Sequence, residues 1–339
     1  MIAIDYKALK SALATPTKIA IIPHRNPDGD AIGSTLALNH YLKKMGHEAV
    51  VISPNEAPSF LHWMPGFETI VNFESDREHA IKTLKEASFV FTLDFNHLSR
   101  VGHDMQINLE RLKTTFVMID HHQQPDSYAQ YTYSDTSICA TCQMVYHFME
   151  SMKDLDKINP DIANCLYTGI LTDTGSFKFA STTATTHQVA AALIEKGAQN
   201  AEIHRAIYDT NSPSRLHLLG CALKNMEIIP EFHTAIIHLS QAELDQYNYK
   251  KGDTEGLVNY GLSIDGVEFA VIFIENAAEK MVKISFRSQG SFSVNEFSRA
   301  HFNGGGHDNA AGGRGEDSLE NTIAYFKSIL PNYKNQLDK

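Results

Sequence analysis

Short apolar runs, each closed by a polar or turn-forming cluster, punctuate the first 120 residues. Residues 19–22 (Ile-Ala-Ile-Ile), 49–52, 89–93 and 116–119 are of strand length, rich in β-branched and aromatic residues, and apolar at every position except Thr92. Continuous rather than alternating apolarity is the mark of a strand buried on both faces. Between the runs the spacing becomes helical. From Ala31 onward Ile32, Leu36, Leu38, Tyr41 and Leu42 recur on one face until Gly46 stops the helix. A leading helix is expected within residues 1–17, and further helices over 137–152, 160–172 and 187–196. The 160–172 helix starts at a proline and carries an apolar face of Ile162, Leu166, Ile170 and Leu171. Residues 60–67 read as an apolar loop across the sheet, with Trp63 in the core. Strands alternating with helices predict an α/β unit, a mostly parallel sheet with helices on both faces.

Beyond residue 197 the texture changes. Residues 198–225 are polar and helical, with a break at Asn211-Ser212-Pro213-Ser214, and are expected to link two domains, 1–197 and 226–339. Strands at 234–239, 267–275 and 281–287 predict a smaller C-terminal α+β domain, which ends in the glycine-rich stretch from Asn303 to Gly313.

Composition narrows the class. A chain of 339 residues with 43% hydrophobic and 20% charged residues has room for two cores. No apolar run approaches the roughly 20 residues that span a bilayer. The first residues lack a basic region followed by an apolar core, so no signal peptide is expected. Four cysteines without framework spacing fit a reducing cytoplasm. Cys139 and Cys142 form a lone C-x-x-C with no second pair and no basic flank, as buried structural cysteines would. A net charge of −11 disfavours a binder of long duplex DNA but not a short anionic substrate held by metals.

The polar residues that close the apolar runs form the candidate site. His24, Asp28 and Asp30 follow the first strand in an expected loop; Asp94 follows the 89–93 strand; Asp120, His121 and His122 follow the next; Asp173 closes the 160–172 helix. Ends of strands on one sheet edge are where α/β proteins bind ligands. Any one of these aspartates could be a helix cap. Together they make a dense group of like charges that needs divalent cations to coexist, and hard or borderline ions such as Mn²⁺ suit carboxylate and imidazole.

These residues match a known pattern. His24-x-x-x-Asp28-Gly-Asp30, the isolated Asp94, Asp120-His121-His122 and Asp173 resemble the motifs of the DHH phosphoesterase family. Gly304-Gly305-Gly306-His307 followed by Ala310-Ala311-Gly312 resembles its DHH-associated C-terminal domain. The resemblance is greatest to the stand-alone NrnA-type branch. It implies a cytoplasmic phosphodiesterase that degrades very short RNA to 5′-mononucleotides and dephosphorylates 3′-phosphoadenosine 5′-phosphate (pAp). It implies two Mn²⁺ ions activating a bridging water: His24 and Asp28 on one, Asp30, His121 and Asp173 on the other, Asp94 on both. Asp120 would orient the histidines and His122 would face the phosphate, with either His122 or a metal-bound water as general acid. Arg287, Gly304, Gly305, Gly306 and His307 would bind substrate, the glycines as a backbone nest for an anion. A homodimer is compatible with this pattern. Cyclic or linear dinucleotide phosphodiesterase, inorganic pyrophosphatase and a non-catalytic nucleotide sensor are the alternatives.

Overall fold

The computed structural model describes residues 4–338, so the first residues of the expected leading helix lie outside it. The chain divides into two compact units, between Thr210 and Asn211.

The first unit is built on six strands: β1 Lys18–Ile22, β2 Glu48–Ser53, β3 Val71–Asn72, β4 Phe89–Leu93, β5 Thr115–Asp120 and β6 Tyr131–Ser134. They lie in the order β3-β2-β1-β4-β5-β6, and every pairing is parallel. The helices are α1 Tyr6–Ala12, α2 Gly29–Lys44, α3 Arg77–Glu86, α4 His103–Glu110, α5 Thr141–Ser151, α6 Pro160–Asp173, α7 Ala184–Glu195 and α8 Asn200–Tyr208. Alternate strand residues feed two cores. Ile19, Ile21, Phe91, Leu93, Val117 and Ile119 pack under α2, α5 and α6, while Ala20, Ile22, Val90 and Phe116 pack with α3 and α4 residues such as Leu84 and Met105. Burial on both faces explains why the central strands β1, β4 and β5 read as nearly continuous apolar runs.

The expected elements recur with corrections. The helix expected over 187–196 is α7, which starts three residues earlier, at Ala184. α2 begins at Gly29, because the Asp28 carboxylate accepts the N–H groups of Asp30 and Ala31, both at 3.1 Å. Asp30 therefore lies in the first turn of a helix and not in a loop. α5 begins at Thr141, later than the apolar spacing implies. Trp63 is exposed, because the turn around Ser59–Leu61 directs Leu61 and Met64 inward and leaves Trp63 on the outside.

The second unit holds α9 Pro213–Lys224, β7 Glu227–Ile229, β8 Thr234–Leu239, α10 Gln241–Gln246, α11 Asn259–Leu262, β9 Phe269–Asn276, β10 Met281–Ser288, α12 Val294–His301, β11 Gly305–His307, β12 Ala310–Gly315, α13 Leu319–Ile329 and α14 Lys334–Leu337. Its mixed sheet runs β11-β12-β10-β9-β8-β7, with β8–β9 parallel and the other pairs antiparallel. Residues 198–225 are divided between the units, α8 in the first and α9 in the second. Among the described residues no helix is long and apolar enough to cross a membrane.

α2 packs directly against α6, and glycines at 29, 33 and 169 permit the approach. A Cβ on Gly33 would lie 2.5 Å from the Cys165 carbonyl oxygen and 3.0 Å from Cys142 Sγ, and one on Gly169 would strike Cys142 Sγ and the Asp30 carboxylate. Without those methyls the two helix backbones come close together. Gly33→Ala is expected to cost about 1–3 kcal/mol by overpacking. Gly220→Ala, on an exposed part of α9 with nothing within 4 Å of the new methyl, should be neutral or stabilising by up to about 1 kcal/mol. Urea unfolding of the two variants beside wild type measures the contrast.

Candidate active site

All eight polar residues singled out from strand and helix ends in the first unit are brought together at the carboxyl edge of its sheet. β1 leads to His24 and Asp28, β4 to Asp94 and β5 to Asp120, His121 and His122, while α2 contributes Asp30 and α6 ends on Asp173. Asp94 is at the centre. Its Oδ2 lies 3.4 Å from His24 Nε2 and its Oδ1 3.3 Å from His121 Nε2. His24 Nε2 also lies 3.9 Å from Asp28 Oδ2. His121 Nε2 lies 3.3 Å from Asp173 Oδ2 and 3.8 Å from Asp30 Oδ2. His122 Nδ1 bonds Asp120 Oδ1 at 2.7 Å and lies 3.8 Å from Asp94 Oδ1.

The backbone aims these groups. Asp94 has φ +67, a left-handed conformation that Asp tolerates better than most residues. Its N–H donates to Ile119 O at 3.1 Å, tying the turn to β5. Asn26, also left-handed at φ +55, is cross-linked to Asn55: its N–H donates to Asn55 Oδ1 at 2.7 Å, and Asn55 Nδ2 donates to Asn26 Oδ1 at 2.8 Å. That pair pins the loop between His24 and Asp28.

The donor set fits divalent cations. His24 Nδ1 contacts the Arg25 carbonyl at 2.9 Å and His121 Nδ1 the Ile138 carbonyl at 3.1 Å. A carbonyl only accepts, so each Nδ1 carries the proton, and each Nε2 faces the carboxylates as a metal-ligating imidazole does. His24, Asp28 and Asp94 offer ligand atoms within 4.8 Å of one another, and so do Asp30, Asp94 and His121. Asp94 belongs to both groups.

Electrostatics give the same picture. Burial, with the Asp94 carboxylate beside it, pushes Asp30 up to about 7. Burial and Asp30 push Asp173 well above the ordinary carboxylate range. Burial opposes charge on Asp94 as well, yet His121 and His24 outweigh it and hold that carboxyl well below its usual range. Burial likewise works against a charged His121 or His24, but the surrounding carboxylates raise both, His121 strongly. Without cations the cluster thus keeps protons on acids and imidazoles alike, protons that a divalent ion would displace.

The cysteines are not part of this chemistry. All four are free, and burial pushes the Cys139 thiol up to about 12 and Cys142 well above its ordinary value. His97, which lies close after Asp94, is half exposed and accepts the Ser99 N–H at 3.1 Å as a local cap. One residue absent from the sequence-derived set does reach the cluster. Thr141, fully buried, donates its hydroxyl to Asp94 Oδ1 at 3.1 Å. No local pattern marks Thr141 in the sequence, since the uncapped helix start after Ala140 is visible only in the folded chain.

In the second unit Arg287 and His307 pair with Ala310 from opposite sides of β12. Directly paired antiparallel residues share a face, so the two side chains emerge on the same side of that sheet. The glycines depart from the expected nest. Gly304 N donates to Ser298 O at 3.3 Å and Gly306 N to Asn295 Oδ1 at 3.1 Å. These two N–H groups serve the fold, and glycine is required because a Cβ at 304 would strike the Gly312 carbonyl and the Ser298 hydroxyl.

Known proteins divide in the same way. Residues 18–170 match the DHH family N-terminal domain and residues 233–332 the DHHA1 domain. The bifunctional oligoribonuclease and PAP phosphatase NrnA of Thermus thermophilus is 31% identical over 87% of this chain and 83% of that protein. A probable enzyme of the same description from Streptococcus mutans is 27% identical over 96% of this chain and 99% of that one. The crystal structure of an exopolyphosphatase-related protein from Bacteroides fragilis superposes with a TM-score of 0.94 at 37% identity, covering 98% of this chain and 97% of that one.

The raised groups set a pH dependence for the metal-free protein. Asp30, Asp173, His121 and His24 hold more protons folded than unfolded, so their contribution to stability is present at low pH and lost as pH rises through their folded-state values. Asp94, depressed, is ionised in both states above about pH 5 and does not offset this. Stability conferred by the cluster should therefore fall from pH 6 to pH 8 without metal. The Tm gain on adding Mn²⁺ should be larger at pH 8 than at pH 6, as thermal melts at the two values will register.

Proposed function

The chain belongs to the DHH family and is a hydrolase of phosphoester bonds, and from that premise we propose that it is a cytoplasmic, Mn²⁺-dependent enzyme that cuts very short RNA to 5′-mononucleotides and removes a phosphate from pAp. The observation that carries the metal assignment is the position of Asp94, one oxygen toward His24 and the other toward His121. His24 and Asp28 would hold one ion, Asp30, His121 and Asp173 the second, and Asp94 both. Such ions, when bound, supply Lewis acidity at the phosphoryl oxygens and a water of lowered pKa.

The chain's own residues do the rest. Asp94 and Asp30 fix where the positive charge lies, on a rim that would otherwise repel a phosphodiester. Asp120, fully buried, accepts both the backbone N–H and the ring Nδ1 of His122, at 3.1 and 2.7 Å. This fixes the ring so that Nε2 can meet a phosphoryl or leaving oxygen. Arg287 and His307, emerging on one face of the second sheet, suit the remaining phosphate and base of a short substrate; the guanidinium can pair with the first or stack on the second. The naming of the Thermus and Streptococcus relatives supports this substrate class. The acidic balance of −11 offers little attraction to a long polyanion.

Asp94→Ala should lower turnover on a dinucleotide by on the order of a thousandfold or more, several kcal/mol of transition-state stabilisation. Retention of more than about a tenth of wild-type kcat in Mn²⁺ contradicts the assignment. His307→Ala and Arg287→Ala should each weaken kcat/KM on dinucleotides by about 1–3 kcal/mol, with metal content unchanged. Hydrolysis of bis-p-nitrophenyl phosphate, too small to need those side chains, should hardly change. Equal losses on both substrates would mean that the second unit does not recognise substrate.

A further inference from the structure

We infer that Thr141 is a positioning residue of the catalytic cluster: its hydroxyl holds Asp94 while the helix start it opens holds Asp30, an assignment that rests on those two aspartates serving as metal ligands. α5 lacks a side-chain cap of its own, since Ala140 occupies the N-cap position. Asp30, from the start of α2, takes that place. Its Oδ2 accepts the Thr141 N–H at 2.6 Å and its Oδ1 the Cys142 N–H at 2.8 Å. Both oxygens of a fully buried carboxylate are thereby fixed on the positive end of a helix, each keeping a second lone pair for a cation.

The Thr141 side chain extends the same scaffold to Asp94. A carboxylate only accepts, so the hydroxyl donates, at 3.1 Å, to Asp94 Oδ1, the oxygen that also faces His121 at 3.3 Å. A hydrogen bond to one oxygen sets the rotation of the whole carboxylate, hence the direction of Oδ2 toward His24. Thr suits the task because branching at Cβ narrows its rotamers. The hydroxyl is otherwise costly, being fully buried at a helix start where Thr has no propensity advantage. Cys142 completes the arrangement sterically: its sulfur lies against Gly33 and Gly169, seating the first turn of α5 where α2 meets α6. The Cys-Ala-Thr-Cys segment thus serves the site through a hydroxyl and two backbone N–H groups, with no redox role for its thiols.

The test uses the full chain stripped with chelator, titrated calorimetrically with Mn²⁺ alone, and assayed on a dinucleotide. Thr141→Val keeps the shape and the backbone donors and removes the hydroxyl. It should weaken Mn²⁺ binding about 10–100-fold, the scale for groups that orient ligands, and lower kcat more than it changes KM. Thr141→Ser should recover most of the loss. If Thr141→Val fails to fold, Thr141→Ala makes the same comparison. Mn²⁺ affinity in Thr141→Val equal to wild type, while Asp94→Ala loses the metal, overturns the positioning role and leaves the ligand assignment standing. Equal losses in the Val and Ser variants also overturn it, since packing and not the hydroxyl would then be responsible. Equal binding by wild type and Asp94→Ala would instead refute the ligand assignment, and this inference with it.

Discussion

Carboxylates packed at the edge of one sheet must be neutralised, and the first unit is arranged around that requirement. Asp30, Asp94 and Asp173 all lie within 4 Å of His121 Nε2. With Asp30 and Asp94 buried and Asp173 largely so, unit charges there interact more strongly than in solution. Protons meet the need in the metal-free state, as the raised values of Asp30 and Asp173 show. Divalent cations meet it with chemical benefit, because the same charge that lets the acids coexist also activates water and draws in a phosphate.

The parallel fold makes such crowding possible. Parallel strands present their carboxyl ends on one edge, so β1, β4 and β5 deliver Asp or His to the same place without long-range coordination in the sequence. Helices finish the work. Glycines on α2 and α6 bring two backbones close enough for Asp30 and Asp173 to share His121, and the start of α5 is capped by Asp30 in place of a residue of its own. Asp30 is thus at once a capping residue and a candidate ligand, and the stability of the helix packing is coupled to the geometry of the site.

Much of this is legible in the sequence because the physics is local. Strands buried on both faces show as nearly continuous apolar runs, and the residue closing the runs of β1, β4 and β5 is near the one the sheet edge presents. β3 and β6 leave no such trace: Val71–Asn72 has only two residues, and Tyr131–Ser134 carries polar hydroxyls at an edge. The apolar spacing places Asp30 in a loop, whereas Asp28 caps the helix earlier than that spacing indicates. Size alone argues Trp63 inward, although spacing by three turns Leu61 and Met64 inward instead. The glycine stretch suggests an open nest, whereas Ser298 and Asn295, from a separate helix, take two of its N–H groups. Thr141 is beyond reach for the same reason. Its partners lie 47 and 111 positions away, and only the assembled sheet brings them together.

The central claim is that this cluster works as a two-cation site. Its most direct test is a stoichiometric titration: chelator-stripped protein receives Mn²⁺ in fractions of an equivalent while hydrolysis of an RNA dinucleotide is followed continuously. Turnover absent without metal, and reaching its plateau only as two equivalents per chain are bound, is the predicted result. Full turnover in metal-free protein, or a plateau at a single bound equivalent, would contradict it.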